Sequence, residues 1–367
     1  MNVFQKALLD CQEEERYRKL SVQNQGVDFF SNDYLGLAAS TSFKKLIDDH
    51  AERLINCNGS TGSRLLSGNQ SFMTDIEDSI ALFHGAGSAT VYPSGYTANL
   101  GLLSCLGLKG VNIFSDELIH ASLIDGIRMG KSNRFIYKHN DPGHLKSLLL
   151  SNPGENLVVT ESVFSMDGDE CPLDDLIQVC KAANARLIVD EAHAIGIYGN
   201  RGEGLVQAKG LANEVFARII TYGKAPGIHG ATIVGPAWLK NYQVNFSRPL
   251  IFSTAPTPHQ FAGIAAFYEM APQIASERDA LQSNVAYFLK IRSTSKHVWT
   301  ESNTQIQSLM VAGNENAVAL GNKIKSLGIN ALPIRSPSVP KGKERIRICL
   351  HSFNTKQEID FLFKLIV

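Results

Sequence analysis

Lys224 stands in Thr221-Tyr222-Gly223-Lys224-Ala225-Pro226-Gly227, where small neighbours leave space around its amine. Desolvation or a nearby cation lowers a lysine pKa and frees the amine for Schiff-base chemistry; a surface lysine in a tight turn fits the same spacing. Arg186-Leu187-Ile188-Val189-Asp190-Glu191-Ala192-His193 sets a carboxylate directly after an apolar run, with a histidine three residues on. Such a carboxylate can hold a proton on a ring nitrogen, and His193 can donate to the same ligand. The alternative is a capping aspartate followed by a solvated histidine. Ser94-Gly95-Tyr96-Thr97-Ala98-Asn99 falls between a strand candidate and a helix candidate. Free N–H groups at a helix start bind phosphate, and Gly95 permits close approach; a plain turn reads equally well. His120, in His120-Ala121-Ser122, is either a structural histidine or a flat ring that stacks on an aromatic cofactor. A phosphate-binding helix start, a carboxylate for a ring nitrogen and a lysine are the parts a pyridoxal phosphate site requires.

These residues need elements to hold them. Apolar runs at Ser88–Tyr92, Val111–Ser115, Asn133–Tyr137, Leu157–Thr160, Arg186–Val189, Arg218–Tyr222 and Thr232–Gly235 predict strands. Helical patterns such as Thr97–Leu106 and Asp174–Asn184 lie between most of them. Buried strands alternating with helices imply an α/β fold with a mostly parallel sheet, whose ligands gather at the carboxyl ends of its strands. A long helical segment is expected from Thr257 towards Ser276. Beyond it, helices (Ala317–Leu327, Thr355–Leu365) mix with strands (Gln307–Val311, Arg345–Leu350) as in a smaller α+β domain. The expected organisation is an N-terminal helical segment over 1–27, a large domain over 28–270 and a small one over 271–367.

Composition excludes several alternatives. Over 367 residues, 35 Lys+Arg balance 35 Asp+Glu, so no basic excess is available to neutralise nucleic-acid phosphates. With 44% apolar and 19% charged residues the chain is not disordered. Six scattered cysteines with no C-x-x-C pair suit reduced thiols rather than disulfides or zinc, and no metal is expected. The first twenty residues carry Asp10 and three glutamates, unlike a secretory signal, and no apolar run approaches a membrane span. A soluble, cytoplasmic protein is expected. Walker A, G-x-G-x-x-G and G-x-S-x-G motifs are missing, so nucleotide and hydrolase readings find no support.

Longer motifs narrow the reading. Ser31-Asn32-Asp33-Tyr34-Leu35-Gly36-Leu37, the stretch Gly59–Asn69, Ser94–Asn99, His120–Ser122, Thr160–Asp169 and Val189–His193 resemble, in matching order, the α-oxoamine synthases. These are fold-type I pyridoxal phosphate enzymes that join an amino acid to an acyl thioester. Gly223-Lys224, Ile334–Pro340 and Arg345–Ile348 are most similar to the members that use L-alanine and a pimeloyl thioester in biotin biosynthesis. A member using glycine and acetyl-CoA, or a silent partner subunit, is the alternative.

The resemblance implies pyridoxal 5'-phosphate bound to Lys224, with Asp190 on the pyridine nitrogen. It puts His193 and Ser165 at the ring hydroxyl, His120 stacked on the ring, and Gly95, Tyr96 and Thr221 at the phosphate. Asn32 and Arg347 would grip the amino acid carboxylate, Ser338 would meet the acyl chain, and Arg18 would be an N-terminal substrate contact. It also implies a homodimer with sites at the interface, where Ser253 or Thr254 reaches the neighbour's phosphate. Three departures stand out: a short segment before Asp28, Pro226 where a larger apolar residue is usual, and Tyr96 where phenylalanine is usual.

Overall fold

Asn2 opens the chain's first helix, Val3–Glu13, through a capping box in which Asn2 and Gln5 each accept the other's backbone N–H. The computed structural model describes residues 1–14, 16–20 and 26–366. It divides into two compact units. The larger comprises Leu35–Phe164 and Glu170–Arg278, and the smaller Met1–Tyr34, Ser165–Asp169 and Asp279–Val367. The sequence reading drew its limits at 27/28 and 270/271 and gave no sign of the Ser165–Asp169 excursion.

After β1 (Val27–Asp28) in the smaller unit, the larger unit supplies β2 (Ser88–Tyr92), β3 (Val111–Asp116), β4 (Asn133–Tyr137), β5 (Glu155–Glu161), β6 (Arg186–Asp190), β7 (Ala217–Thr221) and β8 (Ala231–Gly235). They form one sheet in the order β2-β8-β7-β6-β5-β3-β4. The pairs from β7 to β4 are parallel, and β8 runs antiparallel to both β7 and β2. Ile188, Val189, Ile219 and Ile220 are fully buried, as apolar runs in a sheet covered on both faces must be. The expected α/β fold with a mostly parallel sheet is borne out. Strand β6 runs one residue past the apolar stretch, which makes Asp190 its last residue rather than the first of a loop.

The predicted continuous helix from Thr257 towards Ser276 is a correction. It breaks into Pro258–Met270, a 3-10 turn Ala271–Gln273 and a second helix Ala275–Arg292. Pro272 lies in that turn and lacks the N–H that an unbroken helix would need.

The smaller unit adds β9 (Ile306–Met310), β10 (Ile329–Asn330), β11 (Leu332–Ile334) and β12 (Arg345–Cys349), with helices Asn314–Ser326 and Lys356–Ile366. β11, β12 and β9 form an antiparallel sheet, and β1 pairs with β10. Side chains of this unit hold the Ser165–Asp169 excursion by its carbonyls: Ser308 binds Met166, Thr300 binds Asp167 and Thr304 binds Gly168, each at 2.7–2.8 Å. Arg345 pairs with the Asp167 carboxylate. Among the described residues, no helix is long and apolar enough to cross a membrane.

Strand β2 is an edge of the large sheet, and an edge leaves N–H groups without strand partners. Glu77, fully buried in helix Ser71–Phe83, accepts the Val91 N–H at 2.8 Å. Arg64 grips its carboxylate through two nitrogens, and Lys240 lies 3.0 Å away. The clamp therefore fixes the strand that leads into Ser94–Asn99. Glu77→Ala leaves two cations and an N–H without their acceptor, so urea unfolding should show a loss of about 3–5 kcal/mol.

Candidate active site

Three neighbouring strands end on polar residues: β5 on Glu161, β6 on Asp190 and β7 on Thr221. Glu161 and Asp190 are register partners. All three line one open cavity of the larger unit, at the carboxyl edge where parallel sheets place ligands. Its empty volume, open solvent included, is about 640 Å³.

Asp190 is 4% exposed, and both carboxylate oxygens are occupied. The Ala192 N–H donates to Oδ1 at 2.9 Å, and Asn99 Nδ2 donates to Oδ2 at 2.8 Å. Asn99 also donates to Ser122 Oγ at 3.0 Å, and that hydroxyl lies 2.7 Å from His120 Nδ1. Asn99, from helix Gly95–Leu106, thus joins Asp190 to the start of helix Ala121–Met129, where His120 is the N-cap. The Ser122 N–H donates to His120 Nδ1 at 3.2 Å, so Nδ1 is an acceptor and the neutral ring carries its proton on Nε2. Burial pushes the His120 pKa down, and the Lys224 charge acts the same way against the opposing pull of Asp190.

Lys224 lies in the connection from β7 to β8. Tyr222 and Gly230 pair across it through the Tyr222 N–H at 2.9 Å, and the Gly227 N–H closes a turn onto the Lys224 carbonyl at 2.8 Å. Gly227 has φ +68°, and a Cβ there would run into the backbone N–H of Ala38. That turn needs glycine. Pro226 sits within it and is buried.

The helix start beside Lys224 is capped reciprocally: Ser94 Oγ accepts from the Thr97 N–H, and Thr97 Oγ1 from the Ser94 N–H. A Cβ on Gly95 would stand 2.6 Å from Thr221 Cγ2, so the helix meets β7 only through a glycine. Two buried polar atoms on the cavity's residues have no partner among the described residues, Thr221 Oγ1 and Asn99 Oδ1. An unused hydroxyl beside the N-terminus of a twelve-residue helix fits a phosphate, and a strand-end carboxylate beside a lysine fits a protonated ring with a reactive carbonyl. The residues present match pyridoxal 5'-phosphate.

Of the residues expected at the cofactor, Gly95, Tyr96, His120, Asp190, His193, Thr221 and Lys224 line this cavity. His193 is buried, and the Tyr96 hydroxyl is bound to Asp125. Ser165 does not line it; its carbonyl accepts from Arg347 Nε at 2.7 Å within the smaller unit. Ser253 and Thr254 are exposed and also lie outside its lining. Sequence reasoning assigned no role to Glu161, Ser122 or His229, which line it too, and used Asn99 only as a motif residue. For Glu161 the available signal was an acidic residue ending the strand beside Asp190.

The smaller unit groups the expected substrate residues in two places. Arg347 on β12 donates from Nη2 to Asn32 Oδ1 at 3.0 Å, and Tyr34 donates to the same oxygen at 2.9 Å. Arg347 is buried, yet no ion pair among the described residues involves it. A buried guanidinium held only by neutral acceptors suits an incoming carboxylate. Arg18 Nη2 donates to Ser338 Oγ at 2.9 Å, which brings the N-terminal arginine and the Ile334–Pro340 motif together.

A family model for class I and II aminotransferases matches residues 24–366. A Neisseria meningitidis serogroup A protein, provisionally named as an 8-amino-7-oxononanoate synthase, is 38% identical over 98% of each chain. Among solved structures, 8-amino-7-oxononanoate synthase from Francisella tularensis is 27% identical, with TM-score 0.79 over 93% of this chain and 96% of that one. Serine palmitoyltransferase from Sphingomonas wittichii is 25% identical, with TM-score 0.91 over 100% and 97%. With its motifs, fold and strand-end cavity in accord, the chain belongs to the class I and II aminotransferase family, as a pyridoxal 5'-phosphate-dependent enzyme of the α-oxoamine synthase type.

Proposed function

We propose that the protein condenses L-alanine with a pimeloyl thioester, releasing CO₂ and the free thiol, to give 8-amino-7-oxononanoate for biotin synthesis. The observation that supports the reaction class is the single cavity that gathers Lys224, Asp190, His120 and His193 with a helix N-terminus. The choice of alanine and a pimeloyl thioester follows the name of the whole-length relative and the Ile334–Pro340 and Arg345–Ile348 segments.

When bound, pyridoxal phosphate supplies a ring that takes up negative charge from the amino acid Cα. The protein's residues arrange the rest. Asp190, oriented by Asn99 and Ala192, holds a proton at the ring nitrogen. Lys224 carries the cofactor between turnovers, and its amine then takes and returns the Cα proton. The free N–H groups at Gly95 and Tyr96, with the Thr221 hydroxyl, bind the phosphate. His120 covers the ring, while His193 acts at its hydroxyl. Arg347 and Asn32 grip the amino acid carboxylate, and Arg18 and Ser338 serve the acyl chain. In the homodimer we propose, Thr254 reaches the neighbour's phosphate.

The test is a matrix of alanine, glycine and serine against pimeloyl, acetyl, succinyl and palmitoyl thioesters, read by mass spectrometry. Product from alanine and the pimeloyl thioester alone is expected; turnover only with glycine and acetyl-CoA would overturn the reading. Lys224→Ala should abolish product while circular dichroism stays unchanged. Asp190→Asn should lower kcat roughly 10²–10³-fold, the scale for losing one preorganised electrostatic contact, and a near-normal rate would place the nitrogen's partner elsewhere.

A further inference from the structure

Two carboxyl groups enter the cavity from adjacent parallel strands, and the reading above uses only one. Glu161 and Asp190 are register partners, so their side chains leave the sheet on the same face. Both line the cavity, and both are buried. Asp190 has a donor on each oxygen. Glu161 accepts one hydrogen bond, from the His120 N–H to Oε1 at 2.5 Å, and no ion pair among the described residues involves it.

We infer that Glu161 enters the site as a neutral carboxylic acid and acts as a positioning residue, leaving Asp190 as the one charged carboxyl of the pair. Two carboxylates side by side out of water repel each other, and the one with fewer donors keeps its proton. The groups that act on Glu161 are Asp190 on β6, Lys224 between β7 and β8, His120 at its helix start and Asp116 at the end of β3. Burial pushes the Glu161 pKa up to about 8, and Asp190 adds in the same direction; Lys224 and the His120 N–H pull it back, and Asp116 pushes it up again. The consequence concerns Lys224. A charge on Glu161 would draw a proton onto the lysine amine and onto His120, by the same attraction that Lys224 exerts on Glu161. Neutral Glu161 accepts the His120 N–H without adding that charge.

The inference rests on the reading of Lys224 and Asp190 only for this consequence. The protonation of Glu161 is a property of the chain and does not depend on which amino acid or thioester reacts. Infrared spectra of protein carrying ¹³C-labelled glutamate, recorded with and without the cofactor, test it through the difference between the native chain and Glu161→Gln. Glu161→Asp supplies the reference if the glutamine variant does not fold. Without the cofactor, a carboxylic acid band at pH 6.5 that turns into a carboxylate band as the pH rises through about 8 is expected. A carboxylate band at pH 6.5 would overturn the inference. The His120 titration followed by NMR gives a second readout. Glu161→Gln should leave its midpoint unchanged, whereas a charged Glu161 requires the midpoint to fall when that charge is removed.

Discussion

Burying Asp190 to 4% exposure strips its carboxylate of water, and both oxygens then depend on donors that only the finished fold supplies. One donor is local, the Ala192 N–H two residues on. The other, Asn99, comes from a helix on the far side of β3, β4, β5 and β6 in the sequence, and it reaches Asp190 because Gly95 lets that helix close against Thr221. The same amide sets Ser122, which faces the His120 ring. Holding one carboxylate therefore also fixes the helix start, the histidine and the strand end that surround it.

Charge follows the same constraint. The chain is neutral overall, with 35 residues of each sign. Within the cavity the ionisable groups are concentrated, with a lysine, two carboxyls and three histidines around one space. The smaller unit carries a buried arginine held by an asparagine oxygen, a carbonyl and a thiol. Buried charged groups of this kind suit ligands of opposite charge, such as the phosphate, ring cation and carboxylates of the proposed reaction.

Much of this was legible in the residues. Six of the seven strands of the large sheet are largely buried and read as apolar runs, the edge strand β4 being mostly exposed, and Lys224, Asp190 and the Ser94–Asn99 turn lie where such strands end. Glu161 was hidden by its motif, since its place beside Asp190 depends on the register of two strands. The Ser165–Asp169 excursion was illegible for another reason. Ser308, Thr300 and Thr304 hold it by carbonyl oxygens from more than a hundred residues away, and such bonds leave no pattern in the segment itself. Pro272 was visible, yet the apolar periodicity on either side of it concealed the break.

The central claim is that the lysine between β7 and β8 is the residue the cofactor joins. Borohydride reduction of the cofactor-loaded protein makes that bond permanent, and peptide mapping by mass spectrometry then locates the added pyridoxyl phosphate. A single modified site at Lys224 is the result this account predicts. Stoichiometric modification of another lysine, with Lys224 left bare, would contradict it.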